Sequence, residues 1–156
     1  MKLDWWLTGI CASRVFNGLV FMTYAAAVPV LQKEWQMSGS AAGSIASGFQ
    51  LGYAVSLVAF STLSDRISPK LLYLFSMSSS ALCSLCFAAF ARGYLSALLL
   101  YTLVGITLGG TYTTALIILS DRYPEKQRGM AIGFFIASTS LGYALSLLLS
   151  GIALPV

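Results

Sequence analysis

Arg14 is the only charged residue inside a long apolar run of this chain, and Asn17, Phe21 and Tyr24 follow it at spacings of three and four. On a helix those spacings put all four side chains on one face. A guanidinium, an amide and a phenol so arranged could line a polar cavity and attract an anionic group. The same arginine could instead lay its stem along the helix and reach the water boundary, or pair with an acid in a loop. Gln50 and Tyr53 share a face of the next apolar run, and Tyr101, Thr111 and Tyr112 lie on the fourth. With Tyr143 on the fifth, these are weaker candidates to line a pore.

Most of the remaining charge is gathered into two short segments. Leu63-Ser64-Asp65-Arg66 and Leu119-Ser120-Asp121-Arg122 are the same tetrapeptide, each at the end of an apolar run and each followed by further cations, Lys70 in one case and Lys126 and Arg128 in the other. Asp65 and Asp121 fall where a helix ends, and there the helix dipole disfavours an anion. Arg66, Lys70, Arg122 and Arg128 are placed to compensate. Solvated charge that marks a boundary explains this pattern as readily as a specific ion-pair cluster.

Composition fixes the setting. Of 156 residues, 58% are hydrophobic and 9% charged, and mean hydropathy is +0.83. Soluble domains carry roughly 25% charged residues, so this is an integral membrane protein. Arg14, inside a span, is then a costly ionisable group and a functional hypothesis by default. The net charge of +4 is scattered over loops, with no basic stripe that would suit nucleic acid. The absence of histidine excludes histidine catalysis, most metal sites and histidine proton relays. Cys83 and Cys86 form a Cys-x-x-Cys inside an apolar run without other soft ligands, so they read as small hydrophobes. No metal or cofactor is expected. A membrane enzyme is poorly supported, because no acid lies within a span and no nucleophile motif is recognisable.

Five spans position these residues: about 5–31, 41–63, 71–91, 95–119 and 129–153. Each is long enough at 1.5 Å per residue to cross a hydrocarbon core of about 30 Å. In lipid such a run becomes a helix, because its backbone groups must be satisfied internally. The expected fold is therefore all-α, a bundle of five transmembrane helices. The start of the chain loosely imitates a signal peptide, with Lys2, an apolar stretch and Ala25-Ala26-Ala27, but Arg14 and Asn17 interrupt it and more spans follow. It is expected to be a retained helix. With the N-terminus cytoplasmic, six basic residues (Lys2, Arg66, Lys70, Arg122, Lys126, Arg128) lie inside against two outside (Lys33, Arg92). The positive-inside rule therefore predicts a cytoplasmic N-terminus and an external C-terminus.

Small residues recur at four-residue spacing: Ser44, Gly48, Gly52 and Ser56 in the second span, Gly105 and Gly109 in the fourth, and Ser138, Gly142, Ser146 and Ser150 in the fifth. Such seams let helix backbones approach closely in lipid, whether for packing alone or also for gating. The third span has only serine and one tyrosine among its polar residues, as suits a lipid-facing helix.

The loop Ser61-Thr62-Leu63-Ser64-Asp65-Arg66-Ile67-Ser68-Pro69-Lys70 is similar to the Gly-x-x-x-Asp-Arg-x-Gly-Arg-Lys/Arg loop between helices two and three of the major facilitator superfamily (MFS). It keeps the Asp, the Arg and the last basic residue, with serine at both glycines and proline at the second arginine. The stretch Gly105-Ile-Thr-Leu-Gly109-Gly110, then Asp121-Arg122-Tyr123-Pro124 and Arg128-Gly129, resembles the superfamily's glycine-rich fourth helix and the loop leading into the fifth. Order, membrane side and helix count agree, and nearly the whole chain resembles the first five helices of an MFS N-terminal half.

The resemblance implies a small-molecule solute carried by alternating access, bound near the midplane between repeats that rock against each other. The cavity would be lined by helices one, two, four and five. It also implies that Asp65, Arg66, Lys70, Asp121, Arg122 and Arg128 belong to a charge cluster that latches the cytoplasmic side. Tyr101 stands where proton-linked members often have an arginine. The antiporter glycine-proline signature is missing from the fifth helix, where Gly142 precedes Tyr143-Ala144-Leu145. A proton-driven antiporter is therefore disfavoured. Five helices are one short of a half, so the expected partners besides the lipid bilayer are a missing C-terminal half or a partner subunit, with this chain a fragment or one protomer. The expected function is transport of a small polar solute, anionic where Arg14 binds it, in the cell (inner) membrane. The alternative is a non-transporting subunit or assembly factor derived from the same fold. The repeated Leu-Ser-Asp-Arg reads as two loops meeting one need at one membrane face, and Asp65 and Asp121 are expected to be neighbours there.

Overall fold

The computed structural model describes residues 4–153; Lys2, one of the six inside cations of the orientation argument, lies outside the described residues. Five helices follow one another: α1 Trp5–Glu34, α2 Gly39–Leu63, α3 Pro69–Phe90, α4 Tyr94–Arg122 and α5 Glu125–Ala153. All five are long and apolar enough to cross a membrane, and no strand occurs among the described residues. The protein is an all-α membrane bundle.

The helices outrun the apolar segments at several ends because polar residues cap or continue them. Asp4 stands at the N-cap of α1, its Oδ1 accepting from the Trp6 amide at 3.1 Å, which satisfies an otherwise orphaned donor. Ser38 does the same for α2, accepting from the Ala41 amide at 3.2 Å. The proline that departs from the superfamily loop pattern, Pro69, is the first residue of α3. There its fixed φ suits the helix and its missing N–H costs nothing. α1 ends with Gln36 in the left-handed region at φ 49 while the Met37 amide donates to the Gln32 carbonyl at 3.0 Å. That is the Schellman closure, with glutamine where glycine is usual.

Two compact units divide the described chain: residues 4–30 with 119–153, and residues 31–118. The boundaries fall inside α1 and α4. Unit 1 is built on α1 and α5, unit 2 on α2, α3 and most of α4.

In unit 1, α1 crosses α5 at Gly18 and Gly142. A Cβ on Gly18 would lie 2.9 Å from Gly142 Cα and 3.1 Å from the Thr139 carbonyl oxygen, and one on Gly142 would strike the Val15 carbonyl oxygen. One turn later the Ser146 hydroxyl donates to the Leu19 carbonyl at 2.9 Å.

Unit 2 contains the same crossing between α4 and α2. A Cβ on Gly105 would strike the Phe49 carbonyl oxygen, and one on Gly52 would lie 2.9 Å from the Thr102 carbonyl oxygen. The Ser56 hydroxyl donates to the Ile106 carbonyl. Gly18, Val15 and Leu19 thus correspond to Gly105, Thr102 and Ile106, and Gly142, Thr139 and Ser146 to Gly52, Phe49 and Ser56. One constant offset relates each series. The sequence repeats accordingly: Leu51-Gly52-Tyr53-Ala54-Val55-Ser56-Leu57 and Leu141-Gly142-Tyr143-Ala144-Leu145-Ser146-Leu147 agree at six of seven positions. Glycine removes the Cβ so that backbones can meet, and serine supplies a hydrogen bond that lipid cannot replace.

α3 turns two of its serines inward and leaves Ser78 exposed. Ser76 and Ser80 are buried while Leu71, Leu74, Phe75, Leu82 and Leu85 are exposed. A Cβ on Gly110 of α4 would strike the Ser76 hydroxyl, so α3 is seated on α4 through a glycine.

Candidate functional site

Arg14 is buried at 5% relative exposure, as are Asn17 at 7% and Tyr24 at 3% on the same helix. The Arg14 Nε–H donates to Thr139 Oγ1 of α5 at 2.8 Å, and the guanidinium carbon lies 5.3 Å from the centre of the Phe135 ring. Thr139 and Phe135 are one turn apart on α5, and the Thr139 hydroxyl donates back to the Phe135 carbonyl at 3.4 Å. Further along, the Phe21 ring packs against Tyr143 at 5.2 Å. Arg14 is therefore held inside unit 1 by a hydroxyl and an aromatic face. A buried guanidinium seated in this way is a cation with a fixed direction, the chemistry needed to meet an anion out of water. Spacing along α1 could identify Arg14, Asn17 and Tyr24, but not Thr139, which is 125 residues away.

The candidates of unit 2 fall differently. Tyr101 is buried and stacks on Phe49 at 4.4 Å, with Phe87 of α3 at 5.2 Å on another side. Tyr53 lies parallel to Phe49 at 6.3 Å. Tyr101, Phe49, Tyr53 and Phe87 thus make one aromatic group. Tyr112 is half-buried, and Gln50 is exposed. Asp65, Arg66 and Lys70 are also exposed. Asp65 and Arg66 border a shallow open depression of about 550 Å³ at the end of α2, together with Ala59, Thr62 and Leu63.

At the far end of unit 1, Arg122 does not stand alone. Its Nε lies 3.6 Å from Asp4 Oδ2, and its guanidinium carbon sits 4.4 Å from the Trp6 ring centre. The Tyr123 hydroxyl donates to Asp4 Oδ2 at 2.7 Å. The Tyr123 hydrogen bond, the Trp6 amide and the nearby Arg122 hold the Asp4 carboxyl below the usual carboxylate range. Burial, then the bond to Asp4, pushes the Tyr123 phenol up. Asp4 and Tyr123 thus gather with Arg122, a grouping that spacing did not reveal; the one available sign was an aspartate immediately before an apolar run. Asp121 and Arg128 are exposed.

The model of the Major Facilitator Superfamily matches residues 10–155. The chain belongs to that superfamily. A hexuronate transporter of Bacillus subtilis is 31% identical over 132 residues, covering 85% of this chain and 31% of the relative. A benzoate transport protein of Acinetobacter baylyi is 23% identical over 146 residues, covering 90% and 31%. A gentisate transporter of Corynebacterium glutamicum is 26% identical over 142 residues, covering 90% and 32%. This MFS chain spans about a third of the length of each of these relatives. Its superfamily loops lie where the fold turns, Asp65 and Arg66 between α2 and α3 and Arg122 at the end of α4.

Proposed function

We propose that this chain is part of a non-enzymatic transporter that moves a small polar, anionic solute across a cell membrane by alternating access. Arg14 meets the anionic group, with Asn17 and Tyr24 beside it on α1. Gln50, Tyr53, Tyr101 and Tyr112 of unit 2 contribute further polar and aromatic contacts. The observation that carries this reading is the buried Arg14, whose Nε–H is fixed on Thr139 at 2.8 Å. A cation is retained at such cost in a span when it has work to do. The names of the hexuronate, benzoate and gentisate relatives, all carboxylate solutes, support the anionic assignment. Asp65, Arg66, Lys70, Asp121, Arg122 and Arg128 act at the cytoplasmic face as the gating cluster, joined there by Asp4 and Tyr123. The N-terminus is cytoplasmic, the membrane is the inner membrane, and a further set of helices completes the path.

Uptake by proteoliposomes tests this. The chain is reconstituted with a co-expressed C-terminal MFS half, and radiolabelled benzoate, gentisate and a hexuronate are offered. Arg14→Ala should abolish uptake of the accepted solute, and Arg14→Lys should retain a fraction. Uptake indifferent to Arg14 would refute the assignment, and no uptake with stable incorporation into another membrane complex would favour a non-transporting subunit.

A further inference from the structure

The two helix crossings are the same device with different contents. In each, two glycines bring the backbones together and a serine one turn on locks the register to a carbonyl of the partner helix. In each, the residue one turn before the glycine of the first helix meets the residue three before the glycine of the second. In unit 2 these are Tyr101 and Phe49, stacked at 4.4 Å. In unit 1 they are Arg14 and Thr139, hydrogen-bonded at 2.8 Å. The crossing thus dictates that these two positions touch, and the residues there decide what the contact does.

We propose that Thr139 is the positioning residue for Arg14, brought beneath it by the Gly18–Gly142 and Ser146–Leu19 clasp, and that it sets the direction in which the guanidinium meets an anion. The proposal rests on the reading of Arg14 as the anion contact. A guanidinium is a planar fork of five donors. With Nε–H committed to Thr139 Oγ1, its rotation about the side-chain axis is fixed, and a carboxylate approaches the edge formed by the two terminal nitrogens. Phe135, one turn below, backs the plane at 5.3 Å. Without the Thr139 hydroxyl the charge remains, but Nε–H loses this acceptor and the direction it sets, and a bidentate contact depends on direction. The unit 2 crossing shows that the clasp itself does not need this hydroxyl, because phenylalanine occupies the equivalent position there.

The test uses the full chain in lipid nanodiscs with 15N-labelled arginine, of which there are five. The exchange of each Nε–H with water is measured by NMR. Arg14 Nε–H should exchange more slowly than that of exposed Arg66. Thr139→Val should accelerate it about tenfold or more, the factor expected for loss of a hydrogen bond to a charged group. Thr139→Ser, which keeps the hydroxyl, should restore the slow rate. Equal rates for Arg14 and Arg66 in the unsubstituted chain would overturn the proposal, and so would a Thr139→Val rate unchanged from it. Because the first comparison needs no variant, a poorly folding variant does not shield the idea.

Benzoate, with neutral benzamide as control, then probes direction. Benzoate should perturb the Arg14 signals, and Thr139→Val should weaken its binding about tenfold while Thr139→Ser does not. Equal benzoate affinity in Thr139→Val and the unsubstituted chain would overturn the positioning role. Absence of any benzoate-specific shift in the unsubstituted chain would instead refute the anion reading of Arg14, with the exchange rates still deciding what Thr139 does.

Discussion

Gly142→Ala tests the central packing claim, because the new methyl group has nowhere to go. It would strike the Val15 carbonyl oxygen and lie 3.0 Å from Gly18 Cα and 3.1 Å from Val15 Cα. All three are backbone atoms of a helix, so relief requires α1 and α5 to separate. Overpacking of this kind costs ~1–3 kcal/mol. Separation also strains the Ser146–Leu19 hydrogen bond, worth ~0.5–1.5 kcal/mol. Against these stands the better helix propensity of alanine, a gain of ~1 kcal/mol. The net is a loss of about 0.5–3.5 kcal/mol. At Gly133, on the same helix, an added methyl group would find nothing within 4 Å, so Gly133→Ala keeps only the gain and should stabilise by up to ~1 kcal/mol. Reversible unfolding in mixed detergent micelles, followed by circular dichroism, measures both. The two variants must move in opposite directions. Gly142→Ala as stable as the unsubstituted chain would refute the close backbone crossing.

The twin crossing in unit 2 should respond alike: Gly52→Ala, whose methyl would lie 2.9 Å from the Thr102 carbonyl oxygen, is expected to destabilise by ~1–3 kcal/mol in the same unfolding assay. Gln36→Gly should stabilise by ~0.5–1 kcal/mol, because glycine adopts the left-handed φ of 49 without strain. Asp4, whose carboxyl sits below its usual range, favours the folded state above that range, and this contribution disappears as pH falls through the lowered value. Trp6 fluorescence, isolated by replacing Trp5 and Trp35 with phenylalanine, should therefore change on acidification and stay flat in Asp4→Asn. Tyr123→Phe removes the largest cause of the lowering and should shift that change to higher pH.

Much of the fold was legible because lipid leaves an apolar run few options. The ends were less so. Hydropathy stops at Leu119, but α4 continues to Arg122, and the aqueous turn thus carries Arg122 to Asp4. Pro69 looked like a departure from the superfamily loop and proves to be the start of α3. The face of α1 that carries Arg14, Asn17 and Tyr24 follows from helical period, whereas the partners of Arg14 come from α5. The Leu-Gly-Tyr-Ala-x-Ser-Leu repeat was present in the letters, but its meaning was not. Only the carbonyls it touches reveal that α1 stands to α5 as α4 does to α2. The role of Asp4 is not legible in the sequence because its partners are 118 and 119 residues distant, a separation at which spacing carries no information.

The clasps also impose an order on biogenesis. The Ser56–Ile106 bond joins residues 50 apart, so the second clasp closes as soon as the fourth helix leaves the ribosome. The Ser146–Leu19 and Arg14–Thr139 bonds span 127 and 125 residues. Of the five helices, α1 is therefore made before the others and meets its partner only when α5 has been made. Through that interval Thr139 has yet to be synthesised, and the charge of Arg14 must be tolerated by lipid, headgroup or insertion machinery. Nascent chains stalled before the fifth helix should accordingly hold the first one loosely, ready to be extracted by alkaline carbonate, and chains stalled after it should not.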